Sequence, residues 1–77
     1  MEKHRFFKTR DLLTAAIIKA KGGTLVTIDW SKDYAQFVFN NSGGEIDSIL
    51  KEISSGKSTV EIDDLISSFK TLKALLG

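Results

Sequence analysis

The 77 residues contain no cysteine and no proline. Without thiols there is no disulfide staple, no thiolate nucleophile and no cysteine-based zinc or iron–sulfur site, so stability has to come from packing. The single histidine, His4, has no second histidine or cysteine to complete a metal site or a nucleophile pair, and it reads as a solvated residue near a terminus. Long apolar runs are missing too. The longest, Ala15 to Ile18, is four residues, against the roughly 20 that span a bilayer. The basic start MEKHRFFKTR leads into a segment interrupted by Thr14 and Lys19, so no export signal is expected and the expected location is the cytoplasm. Asn40-Asn41-Ser42 spells a glycosylation acceptor, but without export it reads as a turn followed by a helix cap.

What is present is a globular balance: 42% hydrophobic residues, 27% charged residues and five phenylalanines. A chain this short folds as one domain over residues 1–77 and buries only about 60% of its unfolded surface. That leaves little area for a deep pocket, and a non-enzymatic role is expected. Net charge is +1, unevenly spread. Residues 1–21 hold six cations against two carboxylates, a net of +4. Residues 22–56 hold two against five, a net of −3, and residues 57–77 balance at three each. Such polarity steers an acidic partner or nucleic acid, and equally favours self-association of complementary faces.

Punctuation and periodicity predict an α+β fold: a small antiparallel sheet packed against three helices. Residues 5–8, with Phe6 and Phe7, read as an edge strand. Thr9 is the expected N-cap of a helix over 10–21, with Asp11 in its first turn and Gly22 at its left-handed end. Its expected buried stripe is Leu12, Leu13, Ala16, Ile17 and Ala20. Residues 24–40 read as a hairpin in which Val26, Ile28 and Trp30 alternate with Leu25, Thr27 and Asp29, and Ala35, Phe37 and Phe39 alternate with Tyr34, Gln36 and Val38. The first set of each strand is expected in the core. Ser42 and Glu45 have the spacing of a capping box for a helix over 43–54, with Ile46, Ile49, Leu50 and Ile53 buried. Residues 59–62 read as a further edge strand, and Asp63 as the cap of a helix over 64–76 carrying Leu65, Ile66, Phe69, Leu72, Leu75 and Leu76.

The stretches FFKTRDLLTAAIIKAKGG, LVTIDW, FVFNN and VEIDDLISSFKTLKALLG resemble a small domain family of unknown function from prokaryotic and phage genomes. Its marks are a Lys-Thr-x-Asp-Leu opening, a Lys-Gly helix end and a C-terminal Leu-Lys pair. The resemblance spans nearly the whole chain and rests on caps and core positions. It implies a cytoplasmic setting and an accessory role in a phage or mobile element, and it brings no catalytic residues.

The constellations that carry chemistry are thin. Gly56-Lys57-Ser58-Thr59 matches the tail of a phosphate-binding loop, but Lys51 stands where the first glycine is required, and the segment runs from helix to strand rather than strand to helix. It reads as a helix-ending turn. Glu61, Asp63 and Asp64, or Asp29 and Asp33, are explained by capping and solvation without an ion. No catalytic residue, metal or cofactor is therefore expected, and no small-molecule substrate. Tyr34, Phe37 and Phe39 invite comparison with base-stacking sheets, but core packing claims the two phenylalanines.

Two functions follow from different features. The leading expectation is a protein-interaction module, a homo-oligomer that also binds a protein partner, using Leu25, Thr27, Tyr34 and Val38 on the outer sheet face and Leu72, Leu75 and Leu76 on the last helix. The alternative is sequence-tolerant nucleic-acid binding through Lys3, Arg5, Lys8, Arg10, Lys19 and Lys21, which would contact phosphates without reading bases.

Overall fold

A computed structural model describes residues 5–77. The order of elements is β1 (Phe6–Thr9), α1 (Leu12–Ala20), β2 (Leu25–Asp29), β3 (Gln36–Asn40), α2 (Glu45–Ser54) and α3 (Ile62–Leu75). The fold is α+β, with one three-stranded antiparallel sheet in the order β1-β3-β2. The expected strand over 59–62 does not form. Thr59 gives its carbonyl to Lys21 Nζ at 2.8 Å, and Ile62 already begins α3. These residues are pinned to the end of α1 instead of adding to a sheet edge.

The central strand supplies the core. Phe37 and Phe39 are fully buried with Ala15, Ala16 and Ile18 of α1, Ile46 and Ile49 of α2 and Leu72 of α3. Each large apolar side chain so buried contributes about 1.5–3 kcal/mol. The α2 stripe is the expected one, with Leu50 and Ile53 packed against the core beside Ile46 and Ile49. In α1 the buried set is instead Ala15, Ala16 and Ile18, while Leu13 is exposed. The small Ala15 and Ala16 side chains allow the close approach of α1 and α3, so this helix is buried on more than one side rather than along a single stripe.

The hairpin departs from strict alternation. Leu25 pairs with Phe39 and Thr27 with Val38, so β2 carries one more residue than β3 between these pairs, a bulge at Val26. The bulge re-phases the strand. Leu25 and Ile28, three residues apart, both reach the core, opposite Phe39 and Phe37. Val26 and Trp30, expected inside, are 51% and 58% exposed. Tyr34 lies before β3 in the bend, where the Arg10 guanidinium sits 4.3 Å from its ring centroid.

Helix ends show which local signals prevailed. Asp11, not Thr9, is the N-cap of α1 and accepts from the Thr14 amide at 3.1 Å and from the Thr14 hydroxyl, while Thr9 Oγ1 accepts from the Asp11 amide at 3.1 Å. A carboxylate is the stronger acceptor for a helix-terminal N–H. At the other end Gly22, at φ 97°, donates to Lys19 and Gly23 donates to Ile18, closing α1 by the expected left-handed glycine. Ser42 does not cap α2. Asn41, 3% exposed, accepts from the Ile46 amide at 3.0 Å, and Glu45 Oε1 reaches back to the Gly43 amide at 3.0 Å. The left-handed Gly44 is the terminal residue before α2, so the hydroxyl of Ser42 lies two residues too early for a capping box. Nor does Asp63 cap α3: Glu61 holds that position without a side-chain bond, and Asp63 and Asp64 occupy the first turn.

Candidate functional site: the open face of the sheet

Helices cover one face of the sheet, and the other is open. Because β1 pairs Phe6 with Asn40 and Lys8 with Val38, Phe6 and Lys8 share the outer face with Val38, while Phe7 turns inward to the core. The bulge adds Val26 from β2, and Trp30 extends the patch past the strand end. Phe6, Val26 and Trp30 are each about half exposed and line one groove of about 420 Å³ with Lys8, Thr27, Ile28, Asp29 and Val38. Val38 is only 6% exposed although no helix lies over it, because its neighbours on both flanking strands close around it.

One ion pair crosses this face. Lys8 Nζ lies 3.0 Å from Asp29 Oδ2, reaching from β1 over the central strand to β2. Asp29 Oδ1 also accepts from the Ser31 amide at 2.8 Å. These bonds, led by those with Ser31 and joined by Lys8, hold the Asp29 carboxyl well below the usual carboxylate range. The carboxylate stays ionised near neutrality, and the groove carries no net charge.

The residues expected at an interface separate into two sets. Thr27, Tyr34, Leu75 and Leu76 are exposed. Leu25 packs against the core, Leu72 is fully buried within it, and Val38, on the outer face, is itself buried. The bulge turned Leu25 inward, and Leu72 lies on the side of α3 that meets α1, so neither is available to a partner. Val26 was expected in the core because no local signal reveals a one-residue bulge, and Trp30 because its alternation with Ile28 continues past Asp29, where β2 ends.

Of the basic residues expected to meet phosphate, the described ones do not converge. Lys3, like His4, lies outside the described residues. Arg5 is exposed just before β1, and Lys19 is half-buried in the last turn of α1. Lys8 is held by Asp29, Arg10 by the Tyr34 ring, and Lys21 by Glu52 at 3.0 Å together with the Thr59 carbonyl. At the Gly56-Lys57 turn, the Gly56 amide donates to Ile53 and the Lys57 amide to Glu52. The amides that would cradle a phosphate are spent closing α2. Among the described residues no three His, Cys, Asp or Glu side chains gather to hold a metal ion, and no helix is long and apolar enough to cross a membrane.

In comparison with known proteins, no family model, no curated protein and no solved structure matches this chain.

Proposed function

We propose that this chain is a small non-enzymatic protein-interaction module that binds itself and a protein partner, with the open sheet face as the partner's docking surface. The observation that carries the reading is the groove in which Phe6, Val26 and Trp30 stand half exposed on a sheet face that no helix covers. Contiguous exposed apolar surface of this kind marks interaction sites, and tryptophan is a favoured anchor at their centres. An accessory role in a phage or mobile element belongs to the same proposal and rests on the family resemblance alone.

The electrostatics favour a protein over nucleic acid as occupant. Phosphate binding draws on cations free to displace counterions, and the one cation that lines the groove among the described residues is bound to Asp29. They also favour binding over catalysis. Among the described residues Lys8 and Asp29 are the only titratable groups lining the groove, and a carboxylate held far below its usual range is a weak general base.

The test is site-specific photocrosslinking from position 26 in cells that express the chain naturally. A discrete protein adduct that Trp30→Ala and Phe6→Ala abolish is the expected result. A nucleic-acid adduct would move the chain to the alternative function. No adduct, or one that ignores both substitutions, would refute the sheet face as a docking surface. A parallel anisotropy titration against labelled single and double strands should show no binding at physiological salt.

A further inference from the structure

We infer that α3 carries a self-complementary face through which two copies of the chain pair, helix against helix and antiparallel across a twofold axis. The inference deepens the proposed self-binding and rests on it, by assigning that binding to a surface other than the sheet.

The apolar part lies on the side of α3 turned away from the core. Ile62 is 70% exposed and Ile66 48% exposed, one helical turn apart. Phe69, half-buried against the core, borders the stripe, and Leu13 of α1, 52% exposed, flanks it. Leu13, Leu65, Ile66, Phe69 and Lys70 line a groove of about 250 Å³. An exposed isoleucine pair beside a half-buried phenylalanine leaves apolar surface that a neighbour would cover.

The charges identify the neighbour as a second copy. Carboxylates gather at the start of α3, at Glu61, Asp63 and Asp64, and cations near its end, at Lys70 and Lys73. Asp63 and Lys70 are seven residues apart, so they flank the apolar stripe on the same side, drifting by about 20°. About 10 Å of helix rise separates them, too far to pair with each other, and neither joins an ion pair among the described residues. In an antiparallel pair of α3 helices, Asp63 of each copy faces Lys70 of the other. The two contacts are equivalent by symmetry, as an isologous interface requires. In a parallel arrangement the twofold axis runs along the helices and carries Asp63 and Lys70 of the second copy to the opposite flank, so no cross-pair forms. The apolar stripe thus supplies contact area, and the charge pattern fixes both the identity and the direction of the partner helix.

The test is sedimentation equilibrium on the full chain, with circular dichroism confirming that each variant is folded. The wild type is expected to self-associate as a dimer. Asp63→Lys or Lys70→Asp alone turns both cross-pairs repulsive and should weaken association by roughly tenfold. Mixing the two single variants should restore a heterodimer, because one then presents only cations and the other only carboxylates at these positions. Trp30→Ala should leave self-association unchanged. A wild type that stays monomeric at every concentration would overturn both this inference and the self-binding on which it rests. Dimers lost on Trp30→Ala but indifferent to the charge reversals would overturn the α3 face alone, leaving self-binding to the sheet. Single variants that fail to recover on mixing would overturn the antiparallel arrangement.

Discussion

Replacing Asn41 with alanine should destabilise the fold far more than replacing the neighbouring Ser42. Asn41 ties three elements together. Its amide donates to the Arg5 carbonyl at 2.7 Å beside β1, its carbonyl accepts from Gly44 at 3.0 Å, and its Oδ1 accepts from the Ile46 amide at 3.0 Å. Its Nδ2 donates to Asp47 Oδ1 at 3.3 Å. Alanine keeps the two backbone bonds and loses those of the side chain. Loss of a helix-terminal acceptor costs about 1 kcal/mol, and a buried N–H left without a partner costs about 1–3 kcal/mol more, so the sum is about 2–4 kcal/mol. For a domain of this size that lowers the thermal midpoint by roughly 10–30 °C. Ser42 is exposed, and its hydroxyl makes none of the described bonds to α2, so Ser42→Ala should change stability by less than about 0.5 kcal/mol. Urea unfolding followed by far-ultraviolet circular dichroism measures both. Equal losses, or a larger one for Ser42, would refute the assignment of Asn41 as the cap.

Other outcomes follow from the same physics. Asp11 and Asp29 both have pKa values held below the ordinary 3.8 by hydrogen bonds. Their stabilisation is complete above the unfolded-state value and is lost as pH falls below about 4. Acid titration of Asp29→Asn should therefore show lower stability at neutral pH and a shallower decline in acid; an unchanged acid limb would contradict this. Leu72→Ala removes a fully buried side chain and should cost about 2–5 kcal/mol, whereas Leu75→Ala, at a position 50% exposed, should cost less than about 1 kcal/mol in the same urea assay. Gly23→Ala should destabilise through contact alone, since a Cβ there would lie 2.5 Å from Ile18 Cγ2 and 2.9 Å from the Ile18 carbonyl oxygen. Such overpacking costs about 1–3 kcal/mol, and chemical denaturation of Gly23→Ala reads it. Trp30 should emit as a water-exposed indole in chain with no partner bound, and a blue shift with that surface free would contradict the open face.

Much of the fold was legible because strong local signals agreed with the tertiary structure. The α2 stripe shows both the 3.6-residue period and the expected burial, and Gly22 ends α1 in the expected left-handed conformation. Phe37 and Phe39 alternate cleanly in an unbulged central strand, so their placement in the core was correct. The site was less legible. A single extra residue at Val26 exchanged the faces of half of β2, turning Leu25 inward and Val26 outward. Thr59 to Ile62 has strand-like composition, but Lys21 fastens Thr59 to the end of α1 and Ile62 joins the following helix. The basic N-terminal segment looked like one cluster in sequence. In the fold Lys8, Arg10 and Lys21 each find a different partner.

The central claim is that two separate surfaces bind protein, the open sheet face a partner and α3 a second copy. Photocrosslinking from positions 26 and 66 in parallel tests it most directly, since Val26 and Ile66 are both about half exposed and lie on different elements. The expected result is an adduct to another copy of the chain from position 66 and an adduct to a different protein from position 26. Adducts to nucleic acid from either position, or none from both, would contradict it.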